Sequence, residues 1–93
     1  MVAGALGACG LVREAEIMKK GYSSYYNKSQ NHFVVTLTLE EVRALGGGES
    51  NAVTNRVIGI TEREGYCPQG GPVITSRVPY SAWDFGGHCV RTE

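Results

Sequence analysis

The sequence lacks an excess of charge of either sign. Its 93 residues contain nine Lys or Arg and nine Asp or Glu, so the formal net charge is zero. The charged residues are spread along the chain, with no basic arm and no acidic tail. Functions that depend on bulk electrostatics, such as coating nucleic acid or lying on an anionic membrane, are therefore not expected.

Long hydrophobic runs are also missing from the sequence. No apolar stretch approaches the roughly 18 residues that a membrane-spanning helix needs. Residues 1–10 are apolar, but three glycines interrupt them and no basic segment precedes them, so they do not resemble a signal peptide. We therefore expect a protein without membrane contacts, cytoplasmic rather than secreted, that forms a single domain over residues 1–93.

Cysteine is scarce, with only Cys9, Cys67 and Cys89 in the chain. Three cysteines are too few for a scaffold built on disulfides. Any two of them could pair, including Cys9 with Cys89 at the two ends, and the third would then be a free thiol. In a reducing compartment all three would be small buried side chains, and this reduced state is the one we expect.

Glycine, in contrast, is abundant, with 13 residues that cluster at positions 46–48, 70–71 and 86–87. Such clusters are typical of the turns that separate helices and strands. They do not form a phosphate-binding loop, because neither glycine-rich nucleotide motif occurs and residues 46–48 follow a predicted helix rather than precede one. No cofactor is expected.

The clearest local pattern predicts a strand that leads directly into a helix. Phe33, Val35 and Leu37 alternate with polar or smaller residues, which predicts a strand over residues 32–38. Thr38 and Glu41 then have the spacing of a capping box, in which each side chain accepts a hydrogen bond from the backbone of the other. The glycines at 46–48 would end this helix.

The remaining elements are predicted from propensity and turn residues. Residues 11–20 favour a helix, and residues 72–78 favour a strand between two prolines. Val53, Val57 and Ile60 have helical spacing. The segment is, however, rich in Val, Ile and Thr, so we predict a strand over residues 56–63. This strand is predicted to form a hairpin with residues 72–78. Gly86 and Gly87 are predicted to form a two-residue hairpin turn.

Together these elements predict an α+β fold. We expect a small antiparallel meander sheet of about four strands, with one or two helices packed on one face.

Candidates for catalysis are few and weak: His32, His88 and Cys89. The neighbours His88 and Cys89 would point to opposite faces of a strand, so a nucleophilic cysteine would need His32 beside Cys89, or His88 beside Cys67. The two histidines could alternatively act as general acid and base, as in small ribonucleases. Cys67, His88 and Cys89 lack the close pair spacing of structural zinc sites, so no metal is expected.

Aromatic side chains give the strongest indication of a binding surface. Tyr22, Tyr25 and Tyr26 lie close together among lysines, and Trp83 lies in a second aromatic cluster. Tyrosine and tryptophan tolerate partial exposure and are enriched in the parts of interfaces that contribute most to binding. Aromatic residues interleaved with basic ones are also found in proteins that bind single-stranded nucleic acid.

These observations predict a small module that acts by contact, as an inhibitor, an effector or a subunit of an assembly, without chemistry of its own. Its partner would be another protein or a second copy of itself, most simply in a dimer. A small hydrolase with a His/His or Cys/His site is the alternative from another class. A single-strand nucleic-acid binder is a third, less favoured hypothesis.

Overall fold

The fold is described by a computed structural model, which covers residues 20–68 and 71–90. Within these residues the chain forms β1 (Ser23–Asn27), β2 (His32–Leu37), α1 (Leu39–Ala44), α2 (Asn51–Arg63), β3 (Pro72–Pro79) and β4 (Trp83–Cys89). All strand pairs are antiparallel, which confirms the predicted α+β class and the number of strands. The helix predicted over residues 11–20 lies outside the described residues except for Lys20, and Cys9 lies outside them too.

The order of the strands in the sheet is β1-β2-β4-β3, which differs from the predicted meander. A meander would place β3 beside β2, whereas β4 occupies that position. The burial of the two strands explains the difference. Several residues of β4 are buried, whereas β3 is largely exposed and has prolines at both ends. Proline cannot donate a ladder hydrogen bond, so β3 fits an edge and β4 fits the centre.

One face of the sheet packs against the helices, as the alternation in β2 predicts. Phe33, Val35 and Leu37 are fully buried. They form a hydrophobic core with Phe85 from β4 and with apolar residues from both helices. Burial of these alternate side chains is the main favourable contribution to folding in a chain this small.

Half of the predicted capping box forms at the start of α1. The Thr38 hydroxyl accepts a hydrogen bond from the Glu41 backbone N–H at 3.1 Å. The Glu41 carboxylate does not return to Thr38 but accepts a hydrogen bond from Arg56 Nε at 2.9 Å. Glu41 thereby links α1 to α2, and Gly46 follows α1 with a positive φ of 102°, which glycine adopts without strain.

The strand predicted over residues 56–63 is wrong, since this segment lies within helix α2. The Ser50 hydroxyl caps the helix by accepting a hydrogen bond from the Val53 N–H at 3.1 Å. Val53, Val57 and Ile60, whose spacing is helical, are all buried in the core. Burial of this stripe outweighs the modest strand preference of Val, Ile and Thr, so the predicted hairpin with residues 72–78 is also wrong.

The hairpin turn predicted at Gly86 and Gly87 is wrong as well. Both glycines lie inside β4, which continues from Trp83 to Cys89. A β-carbon at Gly87 would lie only 2.0 Å from the Val73 carbonyl oxygen and 2.7 Å from Cζ of Phe33. These glycines therefore allow close approach of neighbouring groups rather than a reversal of the chain.

A disulfide bond joins Cys67, in the loop after α2, to Cys89 at the end of β4. The two α-carbons are 5.4 Å apart, within the range that a disulfide spans. The expected fully reduced state is therefore wrong for these two residues, because the loop returns to the end of the central strand. The cytoplasmic location stays a prediction.

Substitution of Gly87 by alanine tests the close approach of β3 and β4. We expect Gly87→Ala to lower the free energy of unfolding by about 3 kcal/mol or more, because the new methyl group meets backbone that cannot move independently. Gly59→Ala is the matched control, since its added β-carbon has no atom within 4 Å apart from its chain neighbours and the backbone of its own helix. In helix α2 this change should stabilise the protein by about 0.5–1 kcal/mol. Denaturant unfolding curves measure the free energy of unfolding of both variants. Equal changes in the two variants would contradict the close packing at Gly87.

Counting free thiols tests the disulfide. Of the three cysteines, Cys67 and Cys89 are bonded, so denatured, unreduced protein should show one reactive thiol per chain by mass spectrometry. Replacing both bonded cysteines by serine should lower the free energy of unfolding by about 2–4 kcal/mol, since the crosslink restricts the unfolded chain. A count of three thiols in protein purified without reductant would contradict the bond.

Candidate functional site

The sheet face opposite the hydrophobic core is the first candidate site, and we call it the second face. Neither of the two helices described above packs on it. The strand register assigns it these residues: Ser23, Tyr25, Asn27, His32, Val34, Thr36, Val73, Ser76, Val78, Asp84, Gly86 and His88.

The two histidines of the chain are direct neighbours on the second face. His32 of β2 is the cross-strand partner of His88 of β4. His32 is half-buried and His88 is exposed. The structure therefore brings the two catalytic candidates to one face, and the acid–base hydrolase stays an untested hypothesis.

The His32 imidazole lies beside Gly86 of β4. A β-carbon built on Gly86 would lie 3.4 Å from His32 Cε1, 3.7 Å from His32 Nε2 and 2.6 Å from the Ser76 hydroxyl oxygen. The His32 ring thus reaches across from β2 to β4, towards the strand that carries His88. Beside it, the Thr36 hydroxyl donates a hydrogen bond to Asp84 at 2.7 Å.

Cys89 does not fit the role of a nucleophile. Its sulfur is bonded to Cys67, so neither residue has the thiolate that nucleophilic attack needs. His88 and Cys89 do point to opposite faces, as their neighbouring positions in a strand predict: Cys89 belongs to the core and His88 to the second face. The Cys/His form of the hydrolase hypothesis is therefore wrong for these cysteines.

The predicted aromatic surface is divided by the pleat of β1. Tyr22 is fully buried, so its assignment to a binding surface is wrong. Tyr26 is half-buried and stacks on Tyr66, with 5.3 Å between the ring centroids. Tyr25 alone of the three predicted tyrosines is largely exposed, at 56%, because its position places it on the second face.

This division weakens the nucleic-acid hypothesis. Successive bases stack on rings that lie side by side on one surface. Tyr25 and Tyr26 lie on opposite faces of β1, and Tyr22 is enclosed in the core. The three rings therefore do not form one stacking platform.

Trp83, the fourth predicted binding residue, is half-buried at the start of β4. Its ring stacks on Phe85, with 5.8 Å between centroids, and covers Gly48 so closely that a β-carbon there would lie 2.2 Å from the indole. The loop of residues 46–50, together with Arg77 and Trp83, lines a cavity of about 500 Å³. Trp83 thus contributes to the fold and borders an accessible space.

Arg77 holds the wall of this cavity in place. Its guanidinium donates hydrogen bonds to the Gly48 carbonyl oxygen at 2.7 Å and to the Thr54 hydroxyl oxygen at 2.9 Å. The same group lies 6.0 Å from the centroid of the Phe85 ring. Arg77 therefore connects edge strand β3 to the loop before α2 and to α2 itself.

Two exposed side chains near the β3–β4 turn were not predicted as part of a binding surface. Tyr80 is 84% exposed and Val78 is 51% exposed. The sequence signal that could have identified them is Pro79, which marks the end of a strand and hence a turn with outward-facing neighbours.

Residues 20–68 and 71–90 hold no group of three or more His, Cys, Asp or Glu side chains placed to bind a metal ion. Over the same ranges, no helix has both the length and the apolar character needed to cross a membrane.

Comparison of the chain with protein-family models, with curated proteins and with solved structures gives no match.

The hydroxyl of buried Tyr22 is paired with the Glu64 carboxylate. It donates a short hydrogen bond to the Glu64 carboxylate, which also lies 3.6 Å from Lys20 Nζ. Burial, and then the bond to Glu64, raise the pKa of Tyr22. The bond from Tyr22 lowers the pKa of Glu64 below its ordinary value of 4.5.

Tyr22→Phe tests this structural role. At neutral pH we expect the free energy of unfolding to fall by about 1–2 kcal/mol, because a hydrogen bond to a charged group is lost. Since the folded-state pKa of Glu64 is lowered, the pair stabilises the protein fully above pH 4.5 and progressively less as the pH falls through the folded-state pKa. The difference between wild type and variant should therefore shrink on acidification.

Tyr80→Phe is the control for this comparison, because its hydroxyl belongs to a side chain that is 84% exposed. It should leave the free energy of unfolding unchanged at every pH. A Tyr22→Phe effect that does not vary between neutral and acidic pH would contradict the hydrogen bond to ionised Glu64.

Proposed function

We propose that this protein is a small binding module that acts by contact, and that its partner is a second copy of itself bound through the second face. The observation that carries the proposal is the set of exposed apolar side chains on this face. Tyr25, Val78 and Val73 are 56%, 51% and 37% exposed. Val34, half-buried, lies beside Tyr25 in the register.

The second face has the composition of an interface that is neither fully apolar nor strongly charged. Asp84 is its only ordinarily charged residue among those described, and its side chain accepts the Thr36 hydrogen bond. Because charged residues are depleted at the centre of interfaces and Tyr is enriched, this composition supports a contact surface. A chain with zero net charge also has no long-range repulsion between copies.

Packing between faces is favoured over pairing between the β3 edges. Strand β3 lies at an edge of the sheet, but prolines stand at both of its ends and its register shifts between Ile74 and Ser76. Prolines and bulges are common devices that prevent an edge from adding another strand. A symmetric dimer formed by two second faces needs no such pairing, because each copy presents the same surface.

Replacing single exposed side chains tests the dimer. We expect the wild-type chain to show a concentration-dependent monomer–dimer equilibrium in sedimentation velocity and in light scattering after gel filtration. Tyr25→Ser and Val78→Ser should each raise the dissociation constant at least about tenfold, because each removes apolar area from the contact. Circular dichroism checks that both variants fold.

Leu39→Ser is the matched control. Leu39 is 40% exposed, but it lies at the start of α1 and not on the second face. It should leave the equilibrium unchanged. A wild-type chain that stays monomeric at high concentration, or a control that weakens association as much as Tyr25→Ser does, would contradict self-association.

A further inference from the structure

We propose that His32 and His88 form a two-imidazole site for a divalent late first-row transition metal ion. The site lies on the second face, and the inference does not depend on association of two copies. The chain contains only two histidines, separated by 55 intervening residues, yet β2 and β4 place them directly opposite each other.

The strand register defines the separation of the two histidine β-carbons. Directly opposed residues of an antiparallel pair have β-carbons about 4.5–5.5 Å apart. Metal–nitrogen bonds of about 2.0–2.1 Å then allow both rings to reach one ion from opposite sides. The β2–β4 ladder is regular from His32 to Leu37, so both positions are set by the backbone before any ion binds.

The position of the His32 ring and the exposure of His88 are also compatible with a metal site. The His32 ring lies beside Gly86 of β4, at ordinary contact distance: a β-carbon there would be 3.4 Å from Cε1 and 3.7 Å from Nε2. His88 is exposed to solvent on the same strand. An ion can therefore enter from solvent without movement of the backbone.

The surrounding charges do not oppose a cation. The row that contains the histidines ends in Asn27 on β1 and Val73 on β3, both uncharged. No Lys or Arg is present among the second-face residues named above, and Asp84 contributes negative charge to the same face. Two imidazoles in neutral or acidic surroundings suit Cu²⁺, Ni²⁺ or Zn²⁺, which bind nitrogen ligands well.

The number of protein ligands determines how tightly the site would hold the ion. Two protein ligands leave the remaining positions to water, so the ion would exchange and bind more weakly than in a closed four-ligand zinc site. It would bridge the two central strands of the sheet. Binding to the folded but not the unfolded arrangement of the histidines would then stabilise the fold.

Titration with Ni²⁺ alone tests the site in the full-length, untagged chain. All proteins carry Cys9→Ser, so that a free thiol does not bind the metal. By isothermal titration calorimetry we expect one ion per chain. With Ni²⁺ well above its dissociation constant, the melting temperature should rise by about 5 °C, and EDTA should reverse the rise.

His32→Asn and His88→Asn identify the ligands. Loss of an outer partner of a metal ligand typically costs about 10–100-fold in affinity, so loss of either ligand should cost at least about tenfold. Ser76→Ala is the matched control, because Ser76 faces Gly86 beside His32 but is not assigned as a ligand. It should bind Ni²⁺ as the parent does.

The outcomes separate the proposal from its alternatives. Equal loss of binding in the two histidine variants, with both still folded by circular dichroism, supports a shared site. Binding that persists in either variant within a few-fold of the parent overturns it, as does the absence of Ni²⁺ binding in the parent. Repeating the titration with Val78→Ser shows whether the result depends on association.

Discussion

The close packing of β4 between β2 and β3 is the constraint on which the rest of the structure depends. At Gly87 the Val73 carbonyl and the Phe33 ring occupy the space of a side chain, and at Gly86 the Ser76 hydroxyl does so on the other face. Because neither position has a β-carbon, β4 fits at the centre of the sheet. The same two residues therefore shape the core on one side and the histidine site on the other.

Because side chains along a strand point alternately to its two faces, one residue of a neighbouring pair packs in the core and the other lies on the opposite face. Tyr26 stacks on Tyr66 at the core, whereas Tyr25 next to it is exposed. Cys89 is bonded to Cys67 in the core, whereas His88 next to it faces outward. The exposed positions on which the proposals rest therefore alternate with core positions along β1 and β4.

Polar contacts attach the helices to this sheet. Glu41 joins α1 to Arg56 of α2, and Arg77 joins β3 to the loop before α2 and to Thr54. Trp83 lies over Gly48 of this loop, and its ring borders the cavity lined by residues 46–50 and Arg77. The contact-based function and the metal site are proposed for the second face, on which neither α1 nor α2 packs.

Local patterns determined the α+β class, the burial of Phe33, Val35 and Leu37, and the Thr38 cap, because each depends on residues close together in the chain. The helical state of residues 56–63 was decided by burial of Val53, Val57 and Ile60 against the sheet, which strand propensity does not report. Three other features arise only when β4 pairs with β2. They are the central position of Gly86 and Gly87, the Cys67–Cys89 disulfide bond and the cross-strand pairing of His32 with His88. Such long-range pairing depends on which strand packs best at the centre of the sheet. The residues that decide this lie far apart in the sequence, so no short stretch of sequence reveals it.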